Sequence, residues 1–174
     1  MYETNFPKKR FAITRDFVKK HLSKNEKILD LGVPNPFSEL LIKEGFSVTN
    51  TKGEDLDIHT SAVKTVAYDA VTAFQIFEHM LAPFNVLRDI QAPKLFASVP
   101  LRLWFSTAYR SKTDMWDRHY HEFEDWQFDW LLEKTGWNII ERKKFTGNVS
   151  GIGFRPLLRK FTPRFYLIYA ERKA

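Results

Sequence analysis

The sequence predicts an α/β fold, a doubly wound and mostly parallel Rossmann-like sheet that ends in a C-terminal antiparallel hairpin. Three observations carry that expectation. Short apolar runs at residues 28–31, 46–51, 68–74 and 94–99 alternate with segments of helical spacing, the pattern of strands joined by helical crossovers. The run at 68–74 is nearly continuous, as a parallel strand covered on both faces requires. Two further runs of strand character, 137–145 and 164–171, close the chain and read as an antiparallel pair at one edge.

The elements follow in order. Residues 6–24 form a basic amphipathic helix, because Ile13, Phe17 and His21 fall at steps of four, as do Val18 and Leu22. The first strand, 28–31, is followed by a helix over 37–44, with Ser38 near its start and Gly45 just past its end. After the second strand, 46–51, the polar stretch 52–67 is too short for a full helix–strand–helix passage, so the sheet is shortened there. The third strand at 68–74 leads to a helix at 83–91, and the strand at 94–99 is closed by Pro100. Residues 101–123 are irregular and rich in Trp, Tyr, Arg and His, which marks a functional loop rather than a spacer. A helix over 124–135 stops at Gly136, and the two closing strands complete the domain.

At 174 residues the chain is expected to be a single domain, 1–174, with residues 1–25 as a basic N-terminal helix and 101–123 as a lid. The absence of cysteine excludes disulfides, thiolate zinc sites and thiol nucleophiles. No long apolar run marks a signal peptide or membrane span, so a cytoplasmic protein without a membrane partner is expected. The net charge of +6 is uneven: residues 1–27 hold eight Lys/Arg against three Asp/Glu, and 141–174 hold nine against two. The middle of the chain is acidic. Solvated helix and strand faces account for this pattern; an anionic partner is the alternative, although no nucleic-acid motif supports it.

Two motifs bear on function. The first strand runs into Asp30-Leu31-Gly32-Val33-Pro34-Asn35-Pro36, and the third ends in Phe74-Gln75 and then Glu78-His79. Together these segments resemble the class I S-adenosylmethionine-dependent methyltransferases, in particular small domains of the type 11 and type 23 kind. The resemblance implies a methyltransferase sheet with S-adenosylmethionine over the first and third strands. It also implies cofactor contacts from Asp30, Gly32, Phe74, Gln75 and Glu78. Two departures stand out. Pro34 and Pro36 replace glycines of the family loop, and proline fixes φ and removes an N–H. Lys52 occupies the place of the acid that holds the ribose hydroxyls, and lysine accepts no hydrogen bond. Asp55 or Asp57 is expected to take over that role.

The resemblance places Glu78-His79 beside the reacting methyl group. The segment Arg118-His119-Tyr120-His121-Glu122-Phe123 resembles the loop before the last long helix of small-molecule methyltransferases. His79 and His119 are the expected proton acceptors and Tyr120 an orienting hydroxyl. The same elements resemble small-RNA 2′-O-methyltransferases, which bind a divalent metal, but Gln75 stands where that element has its first carboxylate, so no metal is expected. The function read from the sequence is methyl transfer to an oxygen or nitrogen of a small-molecule acceptor. The alternatives are a non-catalytic methyltransferase-like binding module and a methyltransferase of an RNA or other anionic acceptor.

Overall fold

A computed structural model of the chain describes residues 7–149 and 151–173; the expectations for residues 1–6 lie outside them. Six strands form one sheet: β1 (Lys27–Asp30), β2 (Ser47–Asn50), β3 (Ala70–Phe74), β4 (Lys94–Pro100), β5 (Trp137–Phe145) and β6 (Phe165–Arg172). Their order is β2-β1-β3-β4-β6-β5. The first four are mutually parallel, and β4, β6 and β5 pair antiparallel. The doubly wound sheet with a C-terminal hairpin is therefore as the sequence predicts.

The helices are α1 (Lys8–His21), α2 (Pro36–Lys43), α3 (Pro83–Asp89), α4 (Asp125–Lys134) and α5 (Phe154–Phe161). The chain covers both sheet faces. On one, Val86 and Leu87 of α3 and Phe128 and Leu132 of α4 pack on Leu29, Val71, Leu95, Tyr166 and Ile168. On the other, Phe17 and Val18 of α1 and Phe37 and Leu41 of α2 pack on Ile28, Ala70, Phe96 and Leu167. Successive strand residues thus feed opposite cores, which is why β1, β3 and β4 carry near-continuous apolar runs. The outer strand β5 alternates and carries Arg142, Lys143 and Lys144, charges that blunt a sheet edge.

Two expectations change. The N-terminal helix is shorter than 6–24, because Leu22 is already extended. The interval between the closing strands contains α5, a helix not among those expected from the sequence. Pro156 lies in its first turn, where the missing N–H has no partner to lose.

The chain runs from β1 to β2 on one side and returns to β3 on the other, so the strand order reverses between β1 and β3. In open α/β sheets the crevice beyond the strand ends at such a reversal is where ligands bind.

Candidate active site

The turn after β1 is held by a closed polar latch. Asp30 is buried. Its carboxylate accepts from Thr72 Oγ1 at 2.5 Å, Asn50 Nδ2 at 2.9 Å and Asn35 Nδ2 at 3.1 Å. These bonds join β1 to β2, β3 and the loop itself. Burial raises the Asp30 carboxyl to about 6, and the three donors oppose that rise. Gly32 donates its N–H to Thr51 Oγ1 at 2.7 Å and adopts φ +110°, a conformation that side chains rarely take. A Cβ there would meet Ile76 Cδ1 at 3.5 Å, an ordinary contact, so the backbone rather than space demands glycine.

The prolines have a structural account. Pro36 is the first residue of α2, where its fixed φ suits the helix, and Asn35 caps that helix by accepting from the N–H groups of Phe37 and Ser38. Ser38 Oγ in turn accepts from the Asn35 N–H, completing a capping box. The loop is thereby turned directly into a helix, where the family loop uses glycines.

Beyond β2 the acids differ in what they already hold. Both oxygens of Asp57 accept backbone N–H groups at the start of α3, from Leu81 at 2.8 Å and Ala82 at 2.7 Å. One Asp55 oxygen accepts the Asp57 N–H, and one Glu54 oxygen accepts the Lys52 N–H.

Phe74 and Gln75 end β3 at the reversal point. The Phe74 ring meets Phe37 edge-on at 5.1 Å, tying it to the α2 side of the core. Gln75 has φ +60° and is the one non-glycine with positive φ among the described residues. It is anchored to β4 by its N–H to Ser98 O at 2.9 Å and by its amide to Ser98 Oγ at 3.2 Å. A left-handed residue fixed at both ends is a local strain, and such strain concentrates at functional sites.

The 3-10 turn Phe77–His79 follows immediately. Glu78 is almost wholly buried, and its Oε2 has no hydrogen-bond partner. Burial pushes its carboxyl up to about 8, so it carries its proton near neutral pH. The lid returns to this place: the N–H groups of Tyr120 and His121 both donate to Glu78 O. The His79 and His119 rings meet edge-on at 4.7 Å, and His79 Nδ1 faces Arg118 O at 3.1 Å. His119 Nδ1 is the second buried atom without a partner. Burial lowers the pKa of His119 below its ordinary value, and His79 adds to this, which favours the neutral imidazole. Among the described residues, Glu78, His79 and His119 each bring one ligand-type atom to within 4.8 Å of the others. His121 turns away to Leu81 O, and the Tyr120 side chain is largely exposed. His79 and His119 thus come together with Glu78, while Tyr120 contributes mainly its backbone.

Residues 101–123 leave and rejoin the sheet at one point, through a bridge between Leu101 and Phe123 and the Arg102 N–H to Phe123 O. Arg164 fastens both ends, donating to Leu101 O at 2.6 Å and Glu122 Oε1 at 2.7 Å. Tyr109 packs on His119 at 4.7 Å. Its hydroxyl donates to Asp117, and it also lines a cavity of about 720 Å³ together with Arg10, Leu103, Asn148, Arg159 and Phe165. Neither Glu78 nor His119 lines this cavity; Tyr109 joins the two places.

No protein-family model matches the chain, and no curated protein matches it significantly. Solved structures do. The 1,6-didemethyltoxoflavin-N1-methyltransferase of Burkholderia thailandensis, crystallised with 1,6-didemethyltoxoflavin and S-adenosylhomocysteine, superposes with a TM-score of 0.69. It is 14% identical over 94% of this chain and 78% of that one. An S-adenosylmethionine-dependent methyltransferase of Archaeoglobus fulgidus gives 0.65 at 13% identity, over 95% and 94% of the two chains. The fold is that of the class I S-adenosylmethionine-dependent methyltransferases. The Burkholderia neighbour holds S-adenosylhomocysteine, the product form of that cofactor. A [4+2]-cyclase, SpnF, superposes over the whole of this chain and 85% of its own, with a TM-score of 0.62 at 11% identity. The fold thus leaves the chemistry open, and the reaction has to be argued from the residues.

The residues at the reversal point fit such a cofactor in part. Gly32 gives a backbone without a side chain, strained Gln75 presents the end of β3, and Glu78 Oε2 is a buried polar atom that lacks a partner. Nothing in the sequence marks the latch residues: Asn50 and Thr72 owe their roles to strand register, and Asn35 and Thr51 to the turns that follow β1 and β2. Asp30 pairs with Asn50 on one side and Thr72 on the other.

Proposed function

We propose that the chain is a methyltransferase that uses S-adenosylmethionine to methylate an oxygen or nitrogen of a small-molecule acceptor. The observation that carries this reading is the convergence of two unpartnered buried atoms, Glu78 Oε2 and His119 Nδ1, beside the strained end of β3. Scaffold groups pair their polar atoms; these two are kept for something else.

Bound S-adenosylmethionine supplies an activated methyl group. Gly32, Gln75 and Glu78 would hold it, with Asp30 fixing the turn rather than touching it. For the ribose hydroxyls we favour Asp55 over Asp57, whose two oxygens are already spent on α3. His119 is the proton acceptor: it is neutral near pH 7, half-buried, and aimed at the same point as Glu78. When His119 takes the acceptor proton, its new positive charge lies close enough to Glu78 to favour ionisation of that carboxyl, so the charge is not stranded. His79 orients His119 edge-on, and Tyr109 screens it from water. The cavity beyond Tyr109 is of the size that holds small molecules, and the small-molecule complex of the Burkholderia neighbour is consistent with that acceptor class.

Calorimetric titration with S-adenosylhomocysteine tests the reading; saturable binding is expected. Asp55→Ala should weaken it by about 1.5–3 kcal/mol, the worth of a hydrogen bond to a charged group. A folded sample that binds neither S-adenosylmethionine nor S-adenosylhomocysteine would instead favour the non-catalytic module. Methylation of an RNA end that needs Mg²⁺ or Mn²⁺ would move the acceptor to the second class.

A further inference from the structure

The helix α5 is amphipathic in the wrong sense for a soluble helix. Phe154, Leu157, Leu158 and Phe161 recur at helical spacing and form one apolar stripe. That stripe faces outward: Phe154 is 71%, Leu157 52% and Phe161 79% exposed, and no residue of α5 is buried. Ile152, just ahead of it, is fully exposed. Arg155 and Arg159 flank the stripe on one side and Lys160 on the other. From Arg142 to Ala170 the sequence contains no Asp or Glu.

We propose that α5 is a docking element for an anionic bilayer surface. Aromatic and leucine side chains insert at the headgroup boundary, while flanking cations reach the phosphates. The charge pattern selects this occupant. A second copy of the chain would bring the same cations face to face, and a nucleic acid would leave the aromatic stripe in water. No helix among the described residues is long and apolar enough to cross a membrane, so the contact would be peripheral. The absence of a membrane partner was expected from the lack of spanning segments, and a surface helix is a different mode. Arg159 also lines the large cavity, so docking would bring the cavity rim to the lipid. The inference stands on α5 and does not need the methyl-transfer reading.

The test is co-sedimentation of the full chain with vesicles of phosphatidylcholine, alone or mixed with phosphatidylglycerol, at low and high salt. Binding to the anionic vesicles alone, weakened by salt, is expected. The triple variant F154S/L157S/F161S should lose it. R155Q/R159Q/K160Q should weaken it on the order of a hundredfold, since each basic residue near an anionic surface contributes about fivefold. Circular dichroism and thermal melting of both variants separate a docking defect from misfolding. The proposal is overturned by wild-type protein that stays in the supernatant at low salt, or by equal binding to neutral vesicles. It is also overturned by an unchanged serine variant, or by a solution dimer that the serine substitutions dissolve while vesicle binding is absent.

Discussion

At the turn after β1 the buried carboxylate of Asp30 accepts from three side chains, whereas one strand away the buried carboxyl of Glu78 leaves an oxygen without any donor. Both groups lie at the same edge of the same sheet, and burial raises the pKa of both, to about 6 and about 8. The difference lies in the neighbours. Asp30 sits between strands whose registered partners, Asn50 and Thr72, carry donors. Glu78 sits on a 3-10 turn under a lid whose N–H groups go to its backbone carbonyl, while its carboxyl faces the His79 and His119 rings without a hydrogen bond to Oε2. A satisfied buried carboxylate is scaffold. An unsatisfied one costs stability, and a fold that retains it has a use for it.

The comparison breaks if removing the Glu78 charge destabilises the protein. The ordinary value for this group is 4.5, and its folded value is about 8. The folded state therefore holds a proton that the unfolded chain has lost across that window, so stability falls as pH rises from about 4.5 to about 8. Glu78→Gln should match wild type at pH 4 and gain stability above pH 8, by at most about 5 kcal/mol. Thermal melts from pH 4 to pH 9, in EDTA to exclude adventitious cations, check this. Wild-type and variant curves that stay parallel across the range would show that Glu78 is paired after all.

The opposite response is expected at Asp30. Asp30→Ala removes the acceptor of three donors, of which Thr72 is wholly buried. Stranding them should cost about 2 kcal/mol at pH 7, the penalty for unsatisfied buried donors. Denaturant unfolding measures it, and an unchanged midpoint would mean that the latch is not structural.

The sheet was legible because its strands are buried on both faces, so the runs at 68–74 and 94–99 could hardly be anything else. The shortened passage after β2 was legible from length alone. The site was legible where a motif names a position, as with Gly32 and Glu78-His79. It was hidden where the role depends on register or on return of the chain. Nothing local marks Asn50 or Thr72 as partners of Asp30, or Arg164 as the clasp of a loop that starts some sixty residues earlier. Asp57 looked as available as Asp55, since capping α3 from 24 residues away leaves no sequence trace. The helix α5 had the right spacing, but Pro156 and two glycines ahead of it disguised the pattern.

Asn35 sharpens the comparison at the smallest scale, because one side chain serves both the loop and the helix. Its oxygen accepts from Phe37 and Ser38 at 3.0 and 3.1 Å, and its nitrogen donates to Asp30 and to Val33 O. Asn35→Ala should cost about 1 kcal/mol, the usual worth of a helix N-cap. Asn35→Ser restores the cap oxygen but cannot reach back to Asp30 with an N–H. Serine should therefore recover most of that loss by thermal melting, and the shortfall is the share owed to the Asp30 bond. A cycle combining Asn35→Ser with Asp30→Ala isolates that share, since the shortfall should vanish once Asp30 is gone. If serine is no better than alanine, then the cap contributes little and Asn35 acts through the latch.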